Sequence, residues 1–168
     1  FAYDLCARKI PERSLEGLDL SSWRIALNGA EPISPETLEV FCKRFEKYGF
    51  RPTSFFPAYG LAENSVALTF PPPGRGARID VLDRRAFVEE SVARPAAGAS
   101  TQPLRFVGVG APVEGSEVRV LGPDGALVGE RRQGRIQFRG DSATAGYYLN
   151  PAATAELVRE GGWRETGD

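Results

Sequence analysis

The sequence predicts an α/β fold, with helix and strand alternating over residues 1–75 and a small β-rich subdomain over residues 76–168. Three patterns support this. Apolar residues recur at helical spacing in residues 1–10 and again at Leu38, Phe41, Cys42 and Phe45. Short apolar or aromatic runs, residues 23–27 and 53–56, flank the second helix. From Ala77 onward, short strand-like runs are divided by turn residues.

The first helix should end at Pro11, which lacks an N–H and crowds the preceding turn. Residues 23–27, bounded by Ser21-Ser22 and Asn28-Gly29, read as a short buried strand. Ser34-Pro35-Glu36-Thr37 then supplies an N-cap, a proline at the first helical position and a glutamate in the first turn, and Gly49 closes that helix. Residues 53–56 suit a second strand, turned by Pro57 and Gly60. Strand, helix, strand is one repeat of an α/β sheet, whose ligands sit beyond the carboxyl ends of the strands, and Gly29 and Gly60 fall at such ends.

Residues 65–70 read as a further strand, broken by Pro71-Pro72-Pro73-Gly74. Beyond it, residues 118–121 and 135–138 form strands on either side of a Pro123-Asp124-Gly125 turn. Residues 93–102, rich in Ala, Gly, Pro and Ser without an apolar period, read as an exposed, mobile connection. The glycines in residues 134–140 and in Gly146-Tyr147-Tyr148 are expected to shape the β-rich part, and Arg139 with Asp141 reads as a solvated charge pair.

Composition narrows the chemistry. The 21 basic and 22 acidic residues leave a formal charge of -1, so there is no electrostatic footprint for nucleic acid. No apolar run approaches the roughly 20 residues that span a bilayer. The chain has no histidine, which excludes a Ser-His-Asp hydrolase and a His-ligated zinc site. Chemistry must come from carboxylates, hydroxyls, backbone groups and bound magnesium. Cys6 and Cys42, both on helical segments, read as reduced core thiols, and a cytoplasmic setting is the expectation.

The segment Ala58-Tyr59-Gly60-Leu61-Ala62-Glu63-Asn64 carries the most chemistry. An aromatic ring there can pack on a flat heterocycle while Glu63 reaches a metal ion held by phosphate, and both features suit ATP. Taken alone, a Tyr-Gly turn followed by a glutamate near a helix start is also a common structural arrangement.

Further segments favour the nucleotide reading: Asn28-Gly29-Ala30-Glu31-Pro32, Gly134-Arg135-Ile136-Gln137-Phe138-Arg139-Gly140 with Gly146-Tyr147-Tyr148, and Trp163-Arg164-Glu165-Thr166-Gly167-Asp168. Together with the tyrosine segment they resemble, over nearly the whole chain, the motifs of the adenylate-forming enzymes: acyl-CoA synthetases, luciferases and peptide-synthetase adenylation domains. The Asn-Gly-Ala-Glu-Pro and Tyr-Gly-Leu-Ala-Glu forms are most similar to the fatty acyl-AMP ligases. Many relatives carry a threonine where Ala62 stands, so one hydroxyl contact to phosphate is absent here. The family's phosphate loop and its C-terminal domain with a catalytic lysine have no counterpart in this sequence, and there is no Met. The expectation is a piece of the large N-terminal domain of a longer enzyme, inactive alone.

The resemblance implies a layered α/β adenylation domain followed by the β-rich subdomain. It implies that Glu63 is the catalytic, magnesium-binding carboxylate and that Asp168 binds the ribose hydroxyls. Tyr59 would pack on adenine, and the backbone of Gly29, Ala30 and Glu31 would line the base. Asn28, Gly60, Leu61 and Ala62 would border the reacting carboxylate and the acyl tunnel. The substrates implied are ATP, with Mg²⁺, and a fatty acid, with an acyl carrier protein or polyketide synthase as acceptor. Fatty acyl-AMP ligases also carry an insertion in this domain, whereas residues 93–102 read as a plain variable connection. The alternatives are a piece of an acyl-CoA synthetase, a non-catalytic nucleotide-binding module, or an α/β interaction domain.

Overall fold

The computed structural model describes residues 1–97 and 102–168. Its elements are α1 (Ala2–Lys9), β1 (Ala26–Asn28), α2 (Pro35–Phe45), β2 (Phe55–Pro57), β3 (Thr69–Phe70), β4 (Arg78–Leu82), α3 (Arg84–Glu90), β5 (Leu104–Gly108), β6 (Ala111–Pro112), β7 (Ser116–Leu121), β8 (Arg135–Gly140), α4 (Pro151–Leu157) and β9 (Arg164–Glu165). Two compact units result. The first comprises Phe1–Ala58, Phe70–Asp80 and Arg105–Gly110, the second Tyr59–Thr69, Val81–Leu104 and Ala111–Asp168. Each unit therefore draws on separate stretches of chain, on both sides of residue 75.

In the first unit α2 starts as its sequence requires, the Ser34 hydroxyl accepting the Thr37 N–H at 3.2 Å. Its apolar face buries Leu38, Phe41 and Phe45. Phe41 is the hub of an aromatic cluster, with its ring centroid 5.0 Å from Tyr3, 4.5 Å from Phe45 and 5.0 Å from Phe50. Tyr3 and Phe50 meet it edge-on, as the ring quadrupole favours. The Tyr3 phenol donates to the Leu27 carbonyl at 2.7 Å, and burial pushes it up to about 12. Cys6 and Cys42 are free thiols, half-buried beside the same cluster, and burial raises the Cys42 thiol.

The parallel pair β1 and β2 aligns Ala26 with Phe55 and Asn28 with Pro57. The buried strand expected over residues 23–27 is shifted and largely exposed: Ala26 is buried, but Ile25 is 48% and Leu27 58% exposed. Side chains take the backbone groups that a strand would have used. The Trp23 indole donates to the Ile25 carbonyl at 2.7 Å, and the Ser54 hydroxyl donates to the Trp23 carbonyl at 2.6 Å.

In the second unit β8 lies between β7 and β9, antiparallel to both, with Glu117 opposite Arg139 and Gln137 opposite Glu165. Phe138 and Gln137 are buried. Gln137 accepts from the Arg119 guanidinium at 2.6 Å and donates to Glu165 at 2.7 Å, so both ends of this buried amide are paired. The Pro123-Asp124-Gly125 turn folds the chain back along β7, the Val128 N–H reaching the Val120 carbonyl at 3.0 Å, before the chain continues to β8.

Two further expectations are corrected. Residues 65–70 are strand only at Thr69–Phe70, because Ala62–Asn64 coils into a 3-10 turn and Ser65 adopts a φ of 64°. The β-rich part contains two helices, α3 capped by Asp83 and α4 by Asn150; at seven residues each, they are too short to show a period. In the connection over residues 93–102, Arg94, Pro95 and Ala97 are exposed as expected, while the Ala93 N–H bonds to Arg131 O at 2.8 Å and the Ala96 N–H to Val81 O at 2.9 Å. The rest of that stretch, residues 98–101, lies outside the described residues. Among the described residues no helix is long and apolar enough to cross a membrane.

Removing the hub ring should be costly. Phe41→Ala is expected to lower the unfolding free energy by about 3–5 kcal/mol, measured by urea denaturation followed through tryptophan fluorescence.

Candidate functional site

The chemistry-bearing segment forms a closed loop, Tyr59–Thr69, within the second unit. The Tyr59 carbonyl accepts the N–H groups of both Leu68 and Thr69 at 2.9 Å, joining the loop's two ends. Closure requires glycine at position 60, since a Cβ there would stand 1.8 Å from the Val66 carbonyl oxygen. Inside the loop Asn64 is buried, its amide donating to the Ala67 carbonyl at 2.7 Å. Leu61 and Glu63 remain half-buried at the rim, and Ala62 is exposed.

Tyr59 and Asp168, 109 residues apart in sequence, meet: the phenol donates to the carboxylate at 2.5 Å. Burial, reinforced by this bond, pushes the Tyr59 phenol up to about 12. Asp168 is itself tied to the sheet. The Thr166 N–H bonds to the Ile136 carbonyl at 3.2 Å and the Ile136 N–H to the Asp168 carbonyl at 3.0 Å, extending the β8–β9 ladder to the last residue.

Glu63 is held from residues 142–147. The Thr144 N–H donates to the Glu63 carbonyl at 2.7 Å, and the Tyr147 phenol donates to the Glu63 carboxylate at 2.5 Å. Beside them the Ser142 hydroxyl donates to the Asn64 side chain at 2.9 Å. Thr144 is also gripped from β9, its carbonyl accepting from the Arg164 guanidinium at 2.9 Å. Sequence reasoning singled out Gly146-Tyr147-Tyr148 but assigned it to shaping the subdomain. The contact with Glu63 spans 84 residues, which no local spacing announces.

The Asn28–Pro32 segment belongs to the first unit. The Ala58 N–H bonds to the Asn28 carbonyl at 2.8 Å, and a Cβ on Gly29 would lie 2.8 Å from the Ala58 oxygen. Ala30 adopts a φ of 66°, a sparsely populated conformation for a non-glycine residue, and Glu31 is exposed. Arg139 is paired with Glu117 through two bonds of 2.8 Å, not with Asp141, because the strand register sets those residues opposite. Its guanidinium and that of Arg119 lie 4.7 and 4.1 Å from the Trp163 ring centre.

Glu63 fits one particular manner of cation binding. Among the described residues no group of three or more His, Cys, Asp or Glu side chains could hold a metal, so an all-protein cage is not available there. A single oriented carboxylate is what magnesium uses when phosphate oxygens and water complete its shell. Asp168, with one oxygen on Tyr59, keeps acceptor capacity for sugar hydroxyls.

The family model described as AMP-binding enzyme matches residues 2–148. A Caulobacter vibrioides protein whose name assigns it provisionally to the acyl-CoA synthetases is 36% identical over 168 residues, covering 100% of this chain and 29% of that protein. The medium-chain-fatty-acid–[acyl-carrier-protein] ligase JamA of Moorena producens is 39% identical over 124 residues, covering 73% of this chain and 21% of the ligase. The solved fatty acyl-adenylate ligase from L. pneumophila, in complex with acyl adenylate and pyrophosphate, superposes with a TM-score of 0.90 at 34% identity, over 99% of this chain and 30% of that structure. The chain thus spans less than a third of the length of each.

Two outcomes follow from this geometry. The Tyr59 phenol should ionise near 12 instead of its ordinary 10, and Tyr59→Phe should remove that step from a phenolate absorbance titration while leaving the step of Tyr3. Because the folded state keeps the proton longer, the stability it adds is complete below the unfolded value of about 10 and is lost as pH rises through about 12. Gly60→Ala should cost about 1–3 kcal/mol of stability and speed amide exchange at Leu68.

Proposed function

The chain belongs to the AMP-binding enzyme family, and on that premise we propose that it is part of a fatty acyl-AMP ligase, which activates a fatty acid with ATP and passes the acyl group to a carrier protein. The observation that carries this reading is the closed loop of the second unit. It sets an aromatic ring bonded to one carboxylate, Tyr59 with Asp168, a few residues from a second, separately oriented carboxylate, Glu63.

In the proposed reaction a carboxylate oxygen of the fatty acid bonds to the α-phosphorus of ATP as the bond to pyrophosphate breaks. The reaction joins anions, so the groups that hold them apart from water and orient them matter most. Bound to the nucleotide, magnesium supplies positive charge against the phosphate oxygens. On this chain Glu63 offers a carboxylate oxygen toward that cation, Tyr59 offers a ring face to adenine, and Asp168 accepts from the ribose hydroxyls. Gly60, Leu61 and Ala62 keep the loop low beside the reacting carboxylate, and Ala62 brings no hydroxyl to the phosphates.

The carrier protein as acceptor is supported by the ligase from Moorena producens. A second reading, transfer to coenzyme A, is supported by the Caulobacter relative. Product analysis on the protein containing this sequence separates them, with acyl-carrier product expected when both acceptors are offered.

Calorimetry with a non-hydrolysable acyl-AMP analogue tests the nucleotide site. Losing a stacked ring costs about 1–3 kcal/mol, so Tyr59→Ala should weaken binding roughly 5- to 150-fold. Equal affinity in the wild type and Tyr59→Ala would sink the adenine role, and no binding either to this chain or to a longer form extended on both sides would sink the adenylation reading.

A further inference from the structure

Of the two consecutive tyrosines that follow Gly146, Tyr148 is 91% exposed, whereas Tyr147 turns its hydroxyl onto Glu63. We propose that Tyr147 is a positioning residue for Glu63: its phenol fixes Oε1 and presents the carboxylate, in one orientation, to a divalent cation carried by nucleotide phosphates. This inference rests on the reading of Glu63 as the cation's protein ligand.

The contact is built from both sides. On the loop side, the Glu63 carbonyl is fixed by the Thr144 N–H and the neighbouring Asn64 by the Ser142 hydroxyl, so the Cα of Glu63 is held relative to residues 142–147. On the other side, the Tyr147 N–H donates to the Thr154 hydroxyl in α4 at 2.9 Å, and the Thr144 hydroxyl donates to the Gly146 carbonyl at 3.0 Å. Backbone and side chain therefore fix the same pair. A glutamate held only at its backbone retains its rotamers, whereas one that also accepts a short bond at Oε1 is confined.

The chemistry of the donor matters as much as its position. An arginine or lysine in this place would orient the carboxylate but also cancel its charge, whereas a phenol donates one hydrogen bond and stays neutral. The negative charge of Glu63 is thereby kept for a cation. Groups that orient a metal ligand in this way commonly change metal affinity by about 10- to 100-fold when removed.

The test uses this 168-residue chain and three measurements. Free Mn²⁺ is followed by electron paramagnetic resonance as ATP and protein are added, AMP binding is measured without metal, and the rotamer averaging of the Glu63 side chain is read by NMR without metal or nucleotide. Tyr147→Phe should weaken the Mn²⁺-dependent binding about ten-fold, leave AMP affinity unchanged, and turn a single Glu63 rotamer into an average. Glu63→Gln should abolish the Mn²⁺-dependent part. If Glu63→Gln loses that part and Tyr147→Phe keeps it, the positioning role is overturned while the reading of Glu63 stands. A parallel loss of AMP affinity in Tyr147→Phe would also overturn it, since general damage to the loop would then explain the result. If Glu63→Gln binds Mn²⁺ as the wild type does, the cation reading falls and the inference with it.

Discussion

The second unit's candidate site depends on one approach of backbone to backbone, the Val66 carbonyl against the bare α-carbon of Gly60. No other residue leaves room for that oxygen. With it in place, the Tyr59 carbonyl can accept from Leu68 and Thr69 together, the 3-10 turn at Ala62–Asn64 fits inside the loop, and Asn64 is sealed within. Tyr59 is then fixed at the loop's base and Glu63 on its rim. The roles proposed for them differ, but a single steric condition locates both.

Four acidic residues of this unit divide into two electrostatic classes. Glu117 is clasped by Arg139, and Glu165 lies between Arg159 and Arg135, so these carboxylates serve the sheet with their charge offset. Glu117 is accordingly held below the ordinary carboxylate range. Glu63 and Asp168 take hydrogen bonds from tyrosine hydroxyls. A phenol orients without neutralising, and the bond to Glu63 in turn raises the Tyr147 phenol above its ordinary value. The division matches the roles proposed for Glu63 and Asp168, toward a cation and toward sugar hydroxyls.

Much of the first unit was legible in the sequence because its signals are local. The Ser34 cap, the face of α2 and the stop at Pro11 each depend on residues within a turn or two of one another. The strand near Trp23 was misplaced because the indole and the Ser54 hydroxyl take backbone groups, a competition that no periodicity records. Helices α3 and α4 escaped notice for their shortness, seven residues each. At the candidate site, residue types were readable through the family's motifs, and Gly60 through its turn chemistry. The tyrosine on Glu63 was not, since the partners are brought together only by the path of the chain through β8 and on to α4.

The backbone ladder from Ile136 to Asp168 gives the second unit a ruler. Gln137 stands opposite Glu165 and Phe138 opposite Arg164, and the same alignment continues until the Asp168 carbonyl meets the Ile136 N–H. Side chains alternate faces along such a ladder, so a single residue added or removed between Arg164 and Asp168 would turn the Asp168 side chain away from Tyr59. The passage from β7 to β8 is fixed differently, by single bonds to a distant stretch of chain, the Ala93 N–H to the Arg131 carbonyl and the Gln133 N–H to the Ser91 carbonyl. Between Arg164 and Asp168 the spacing along the chain, as much as the identity of the residues, sets which face of the ladder the Asp168 side chain takes.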